Sequence, residues 1–517
     1  MFGWALRSEA GQGARGARAR EDACAMSAQP SEAAAEAAVL QSVPTALYID
    51  GKWRAASAGG TLAVVDPSTE QPLVEVADAQ VKDALAALSA ASGKQAEWAA
   101  TAPRERGEIL RRAYEAIVSQ TEELALLMTL EMGKALAESR AEISYAAEFF
   151  RWFSEEAVRI HGRYMVNTTG KGRILTMRQP VGPCVFVTPW NFPTAMGTRK
   201  IAPAIAAGCT IVVKPAQQTP LSMLALVKIL EQAGLPGGVL NVITAKHSGA
   251  VIEPLLKDAR TRKLSFTGST EVGRKLIEQS AEQVLRVSME LGGNAPFLVF
   301  ADADLDAALD GAMLAKMRNV GEACTAANRF HVHESLADEF ASGLAERMGA
   351  LRVGRGTEAG VDVGPLIDED QRMKVTELVG DAVDRGARLL VGGERRAGSG
   401  YFFEPTVLAE VPPDARALSE EIFGPVAPIA TFSSDDEAVA AANRTEYGLV
   451  AYVYTRDLSR AFTVCEGIET GMIGLNQGVV SNPAAPFGGV KQSGFGREGG
   501  FEGISEYLET KYVALGV

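Results

Sequence analysis

The sequence predicts an α/β protein with two successive parallel sheets and a small β element set apart from both. Three observations carry this. Between residues 184 and 290, short apolar runs such as Cys184-Val185-Phe186-Val187 and Thr210-Ile211-Val212-Val213 alternate with stretches of helical periodicity. Strands apolar on both faces belong to a parallel sheet covered by helices on each side. The alternation starts afresh after Gly292, through Phe297-Leu298-Val299-Phe300, a helical pattern over Leu305–Met317, Arg388-Leu389-Leu390-Val391 and residues 449–454. Residues 163–179 differ in character: Tyr164-Met165-Val166, a Thr-Gly-Lys-Gly turn and Ile174-Leu175-Thr176-Met177 read as a hairpin.

Taken in order, residues 1–44 read as a flexible N-terminal extension. Arg7, Arg15, Arg18 and Arg20 give it a faint likeness to an organelle transit peptide, but the apolar pattern of one is missing, and Met26 offers a second start. Leu47-Tyr48-Ile49-Asp50-Gly51-Lys52-Trp53 is a strand, a turn and a second strand. Residues 81–95 and 104–153 repeat apolar positions at helical spacing, as in Ile109, Ala113 and Ile117. The 163–179 hairpin and a closing strand over 503–517 are expected to pair with each other and to meet another subunit. At 517 residues the chain exceeds what one core supports.

Composition excludes several classes of function. Hydrophobic residues make up 47% and charged residues 22%, with a net charge of −13 and no Lys/Arg-rich run, so no nucleic-acid partner is expected. Cys24, Cys184, Cys209, Cys324 and Cys465 form no CxxC pair, which fits a reducing, cytoplasmic setting; a mitochondrial one is the alternative if the N-terminus is a transit peptide. The four histidines form no HExxH, and no metal site is expected. Residues 179–198 lack charge, yet Pro180, Pro183, Pro189 and Pro193 break any helix there, so no membrane span is expected.

Polar residues cluster where strands end. Cys324 follows Asn319-Val320-Gly321-Glu322-Ala323 and precedes small residues, an accessible place for a thiol, although a lone cysteine is also an ordinary small hydrophobe. Glu290 ends a strand before Gly292-Gly293, where an apolar setting raises a carboxyl toward general-base range. Asn191 sits in Thr188-Pro189-Trp190-Asn191, and Lys214-Pro215-Ala216-Gln217 follows the next strand. Gly268-Ser269 opens a helix after Phe266-Thr267, a place for phosphate, although Thr270 replaces the middle glycine of the dinucleotide fingerprint. Each is also a plain turn when read singly. Together they match the ligand crevice at the C-terminal ends of α/β strands.

These motifs resemble the aldehyde dehydrogenase superfamily over residues 45–517. Glu290 follows Asn191 by 99 residues and Cys324 follows Glu290 by 34, while Glu421-Ile422-Phe423-Gly424-Pro425 and Pro486-Phe487-Gly488-Gly489 are similar to further signatures of that family. The resemblance implies a Rossmann-like cofactor domain over 45–162 and 180–291, a catalytic domain over 292–492, an oligomerisation element at 163–179 and 503–517, and a homodimer or homotetramer. It implies Cys324 as the nucleophile toward an aldehyde, Asn191 as oxyanion holder, and Glu290 as the base that hydrolyses the thioester. Lys200 and Glu498 are similar to a proton-relay pair, or are simply an ion pair. For the cofactor, NADP or NAD, the resemblance implies Thr188, Pro189, Trp190, Lys214, Pro215, Ala216, Gln217, Gly268, Ser269, Leu291, Glu421 and Phe423. Gln217 stands where NAD-restricted relatives carry glutamate, so the repulsion against a 2′-phosphate is missing and NADP is favoured.

Within the superfamily the chain most resembles the branch that oxidises succinate semialdehyde, through Thr198-Arg199-Lys200, Met317-Arg318-Asn319 and residues 477–487. A distal carboxylate calls for arginine, so Arg199 and Arg318, with a hydroxyl from Ser481, are expected to bind it; structural ion pairs are the alternative for the arginines. Another carboxylated aldehyde such as glutarate semialdehyde, or a catalytically silent relative, are the competing functions. Ala326, two residues past Cys324, leaves no partner there for a disulfide switch.

Overall fold

The computed structural model describes residues 32–516. The arginines before residue 25, Cys24 and Met26 lie outside the described residues. The flexible extension expected up to residue 44 needs correction over its last part, because Glu32–Ser42 forms helix α1. Val39 of this helix is buried, and Glu36 pairs with Arg355 at 2.7 Å. Its alanines favour helix, and what holds it down, an arginine 319 residues away, leaves no local mark in the sequence.

β1 (Leu47–Ile49) and β2 (Lys52–Arg54) form the expected strand–turn–strand, followed by the hairpin β3 (Thr61–Asp66) and β4 (Gln71–Ala77). The first helical stretch is α2 (Val81–Ala100). The second divides into α3 (Pro103–Ser119), α4 (Thr121–Met132) and α5 (Leu136–Glu156). Gly133 ends α4 in the left-handed region at φ 93°, and a Cβ there would lie 2.7 Å from Pro365.

β5 (Arg163–Val166) and β6 (Arg173–Pro180) form the expected hairpin. Next come β7 (Cys184–Val187), α6 (Ala195–Ala207), β8 (Ile211–Lys214), α7 (Leu221–Gln232), β9 (Leu240–Val242), α8 (Ser248–Lys257), β10 (Lys263–Thr267), α9 (Thr270–Ser280) and β11 (Arg286–Glu290). The five strands run parallel in the order β9-β8-β7-β10-β11. Phe186, Ile211 and Val213 pack on one face with α3, α5, α6 and α7; Val185, Val212 and Leu264 pack on the other with α2 and α8. Two covered faces are what continuous apolar strands require.

Only four residues separate β11 from β12 (Ala295–Val299), which opens the second sheet. It continues with α10 (Leu305–Met317), β13 (Ala327–His333), α11 (Ala337–Gly349), α12 (Glu369–Asp384), β14 (Arg388–Val391), β15 (Thr406–Ala409), β16 (Val426–Phe432), α13 (Asp435–Asn443), β17 (Tyr447–Gly448), β18 (Val450–Tyr454), α14 (Leu458–Gly467) and β19 (Met472–Leu475). The order is β14-β15-β16-β13-β12-β18-β19, with β14 an antiparallel edge. The chain then returns to the first lobe: β20 (Val490–Lys491) pairs with β17, β21 (Gly494–Phe495) pairs with β11, and α15 (Gly500–Ser505) leads to β22 (Leu508–Leu515). β22 pairs with β6 along eight residues, as expected for the tail. Among the described residues no helix is long and apolar enough to cross a membrane.

Candidate active site

The cofactor-sheet residues singled out from sequence lie at the C-terminal edge of that sheet. Asn191 is in the loop after β7, Lys214 ends β8, Gly268 and Ser269 join β10 to α9, and Glu290 ends β11. The second sheet contributes Cys324 from the turn before β13, with Glu421 and Phe423 from the loop before β16. A cleft of about 240 Å³ lies between them, lined by Pro189, Trp190, Asn191, Gly268, Ser269, Glu290, Leu291, Cys324, Glu421 and Phe423 among others. Neither lobe has the site alone.

The turn carrying Cys324 is held under strain. Asn319 and Val320 both adopt left-handed backbone, at φ 56° and 59°, which is costly for a β-branched residue. Four contacts offset that cost. The Asn319 backbone N–H donates to Glu138 at 2.9 Å, and its side-chain amide donates to the carbonyls of Asn191 at 3.0 Å and Glu322 at 2.9 Å. The Tyr452 hydroxyl donates to the Thr325 carbonyl at 2.8 Å. Asn191 Nδ2 gives one hydrogen to the Glu322 carbonyl at 2.9 Å, which leaves its second for a ligand. The Cys324 backbone N–H donates to no described residue. Asn191 is clamped from behind, where Lys134 Nζ donates to its carbonyl at 2.8 Å and to Glu142 at 2.7 Å, and Glu142 accepts from the N–H groups of Thr194 and Ala195.

The electrostatics favour proton transfer between neighbours. Burial pushes the Cys324 thiol up to about 12, against the pull of Arg199, with Glu290 and Glu421 adding to the rise. The thiol is thus protonated at neutral pH and needs a base. Glu290 is buried, neither carboxylate oxygen has a partner among the described residues, and desolvation together with Glu498 raises its pKa well above the usual carboxyl range. Such a carboxylate accepts a proton readily.

Behind Glu290, Glu498 bonds Lys200 Nζ and lies 2.9 Å from the Arg199 guanidinium, all three being almost fully buried. Arg199 also rests on the Phe487 ring at 3.8 Å. This is the ion-pair alternative for Arg199, whose charge is engaged by Glu498 rather than standing at an open entrance. Its Nε still has no hydrogen-bond partner among the described residues. Arg318 is better placed for a substrate: it is half-buried, donates to Ser481 Oγ at 3.3 Å and covers the Phe192 ring. Tyr145 joins this group, its ring 5.9 Å from the Arg318 guanidinium, its pKa raised by burial and pulled back by Arg199 and Arg318, and its buried hydroxyl has no hydrogen-bond partner among the described residues.

For a dinucleotide, the residues present fit. Glu421 accepts from the Gly293 N–H at 3.0 Å, and a Cβ on Gly292 would come within 2.8 Å of the Glu421 carboxylate. Phe423 meets Trp190 edge to face at 5.4 Å. Thr188 and Thr267 are buried with hydroxyls that have no partner among the described residues. Ser269 caps α9, whose N-terminal N–H groups favour an anion. Lys214 is buried with no ion pair among the described residues, and desolvation lowers it to about 8. Thr188, Lys214, Pro215, Ala216 and Gln217 do not line the cleft at Cys324. Gln217 is exposed and lines a second cleft of about 420 Å³, with Lys246, Glu131 and Asp368.

Sequence reasoning missed Lys134, Glu142, Asn319 and Tyr145. Their only signal was Gly133-Lys134 after an apolar helix; Glu142 and Tyr145 sit in a helix that also carries exposed charges. Among the described residues no three His, Cys, Asp or Glu side chains group to hold a metal ion.

Comparison with known proteins agrees with this arrangement. The profile of the Aldehyde dehydrogenase family matches residues 53–513. A succinate-semialdehyde dehydrogenase of Paenarthrobacter nicotinovorans is 58% identical over 443 residues, covering 86% of this chain and 98% of its own. The NADP(+) succinate-semialdehyde dehydrogenase of Escherichia coli strain K12 is 48% identical, covering 91% and 97%. The crystal structure of succinate-semialdehyde dehydrogenase from Burkholderia pseudomallei superposes with a TM-score of 0.91 at 48% identity, covering 92% and 98%.

The raised thiol makes a prediction. Because burial disfavours the charged form, the thiolate fraction grows only at alkaline pH. Alkylation of Cys324 by iodoacetamide in the cofactor-free enzyme should still accelerate above pH 9, the ordinary value for a thiol. A rate plateau by pH 9, followed by mass spectrometry of the labelled peptide, would contradict this.

Proposed function

Because the chain belongs to the aldehyde dehydrogenase family, we propose that it oxidises succinate semialdehyde to succinate with NAD(P)+ and leans toward NADP+. The grouping of Arg318 with Ser481 and Tyr145, with the Arg318 charge reaching Cys324, carries the substrate reading. A guanidinium and two hydroxyls suit a carboxylate at the far end of a short aldehyde. Glu290 takes the proton of Cys324, and the thiolate attacks the aldehyde carbon. The second hydrogen of Asn191 Nδ2 and the Cys324 N–H hold the oxyanion, donors typically worth about 10²–10³ in rate each. The bound cofactor supplies the hydride acceptor. Pro189, Trp190, Gly268, Ser269, Leu291, Glu421 and Phe423 would hold it in the cleft, with Thr188, Lys214, Pro215, Ala216 and Gln217 beyond. Glu290 then activates the water that hydrolyses the Cys324 thioester, with Lys200 and Glu498 as its relay. Arg199 orients Glu498 and adds positive charge behind the site. The NADP+ lean is supported by the neutral Gln217 and by Lys246 lining the same cleft.

One steady-state assay tests substrate and cofactor together. Arg318→Ala should raise KM for succinate semialdehyde by about one to two orders of magnitude, or roughly 1.4–2.8 kcal/mol, and change butanal oxidation little. Equal losses on both aldehydes would make Arg318 structural. Wild type should reduce NADP+ at least as fast as NAD+, and Gln217→Glu should reverse that order; reduction of NAD+ alone refutes the lean.

For assembly, we propose a homodimer or homotetramer built through β5, β6 and β22. Tyr164, Met165, Val166 and Tyr512 are exposed apolar residues on this element, which favours association. Sedimentation at micromolar concentration should show an oligomer, and a monomer there would refute it.

A further inference from the structure

Asn191 is fixed at two levels. Its backbone carbonyl accepts from Lys134 Nζ at 2.8 Å and from Asn319 Nδ2 at 3.0 Å. Its side-chain amide has one hydrogen-bond partner among the described residues, the Glu322 carbonyl, reached from Nδ2 at 2.9 Å. An amide can turn about its last bond and exchange nitrogen for oxygen, but facing a carbonyl it must present nitrogen. The direction of the Glu322 carbonyl therefore decides where the free hydrogen of Asn191 Nδ2 points.

The backbone leading to that carbonyl is unusual. Asn319, Val320 and Gly321 are all left-handed, at φ 56°, 59° and 76°, and Glu322 then turns to φ −83° and ψ 52°, near the inverse γ conformation. The Glu322 side chain ties this turn down. It is fully buried, and its Oε1 accepts from the Ile367 N–H at 3.1 Å. Ile367 is a firm anchor. Leu366 before it donates to the Tyr401 carbonyl at 3.1 Å, and Asp368 after it caps α12 by accepting from the Gln371 N–H at 3.0 Å.

The carboxyl has no ion pair among the described residues. Burial pushes it well above the usual range and Asp368 adds to the rise, while the Ile367 bond and Lys134 pull against it. Lys134 Nζ is itself bonded to Glu142 at 2.7 Å. Glu322 is thus a neutral acid at pH 7, and its Oε2 has no hydrogen-bond partner among the described residues. Burying such a group costs stability, so packing does not account for it.

We propose that Glu322 is a positioning residue for the oxyanion: its side chain, anchored on Ile367, sets the carbonyl that aims the Asn191 amide at the aldehyde oxygen on Cys324. Glu322 itself does not touch the substrate. The proposal rests on the reading of Asn191 as the oxyanion holder. Glutamine at this position keeps an acceptor for Ile367 and imitates the neutral acid. Methionine keeps the volume and leaves that N–H unpaired.

The test follows the burst of reduced cofactor in stopped flow, at saturating aldehyde and cofactor. It compares wild type, Glu322→Met, Glu322→Gln, Asn191→Ala and the double variant Glu322→Met/Asn191→Ala. Glu322→Met should slow the burst about 10–100-fold, and Glu322→Gln should stay near wild type. The double variant should be no slower than Asn191→Ala, because both changes act through one amide. Alkylation of Cys324 by iodoacetamide forms no oxyanion, so in Glu322→Met its rate should stay within about twofold of wild type. An undiminished burst in Glu322→Met overturns the proposal. Losses that add in the double variant also overturn it, as does an equal fall in alkylation, which marks a displaced turn. A fast Asn191→Ala overturns the oxyanion reading itself and this proposal with it. If Glu322→Met does not fold, Asn319→Gly takes its place. Glycine suits the left-handed backbone and removes the Nδ2 bond to the same carbonyl, so an undiminished burst there overturns the proposal equally.

Discussion

One buried carboxylate sets the charge of the whole site. Glu498 holds Lys200 and Arg199, two neighbouring residues of α6, and none of the three reaches water. Removing one member of such a group strands the others, at a cost of about 3–5 kcal/mol. The group also tunes chemistry. Its net positive balance reaches Cys324 and Glu290 through Arg199 and Lys200, while Glu498 itself pushes the Glu290 proton affinity upward. Glu498 is in turn fixed by a reciprocal pair of backbone hydrogen bonds with Phe487, both at 2.8 Å, and the Phe487 ring carries the Arg199 guanidinium. The proton affinity of the base thus depends on a residue 208 positions from it in sequence.

The site is assembled across a seam, with Asn191 and Glu290 from one sheet and Cys324 and Glu421 from the other. Rigidity comes from hydrogen bonds that cross it. Asn319, beside the nucleophile, bonds the carbonyl of Asn191, and Glu421 accepts from Gly293. The left-handed Asn319 and Val320 persist because these contacts over-determine the turn.

Much of this was legible in the sequence. The apolar runs of β7 and β8 declared a sheet covered on both sides, and Asn191, Glu290 and Gly268 stood at strand ends because that is where α/β sheets gather ligands. The 163–179 hairpin and its pairing with the tail were also readable. Arg199 was harder. Its two roles differ only in which carboxylate it meets, and Glu498 lies 299 positions away. Lys134 and Glu142 were hidden because an inward charge on an amphipathic helix looks like an outward one until the neighbouring helix is placed. α1 was missed for a similar reason, since Ala-rich composition describes a loose segment and a docked helix equally well. The polar face of β10 and β11 was visible as alternation in Lys263-Leu264-Ser265-Phe266 and Arg286-Val287-Ser288-Met289-Glu290. Alternation in a strand ordinarily means one wet face, and here both faces are dry.

The connector from Glu290 to Ala295 joins the two sheets, and the chain later comes back through β21, whose Gly494 pairs with Glu290 itself. The base is therefore fastened twice, by the link that leaves it and by the strand that returns to it.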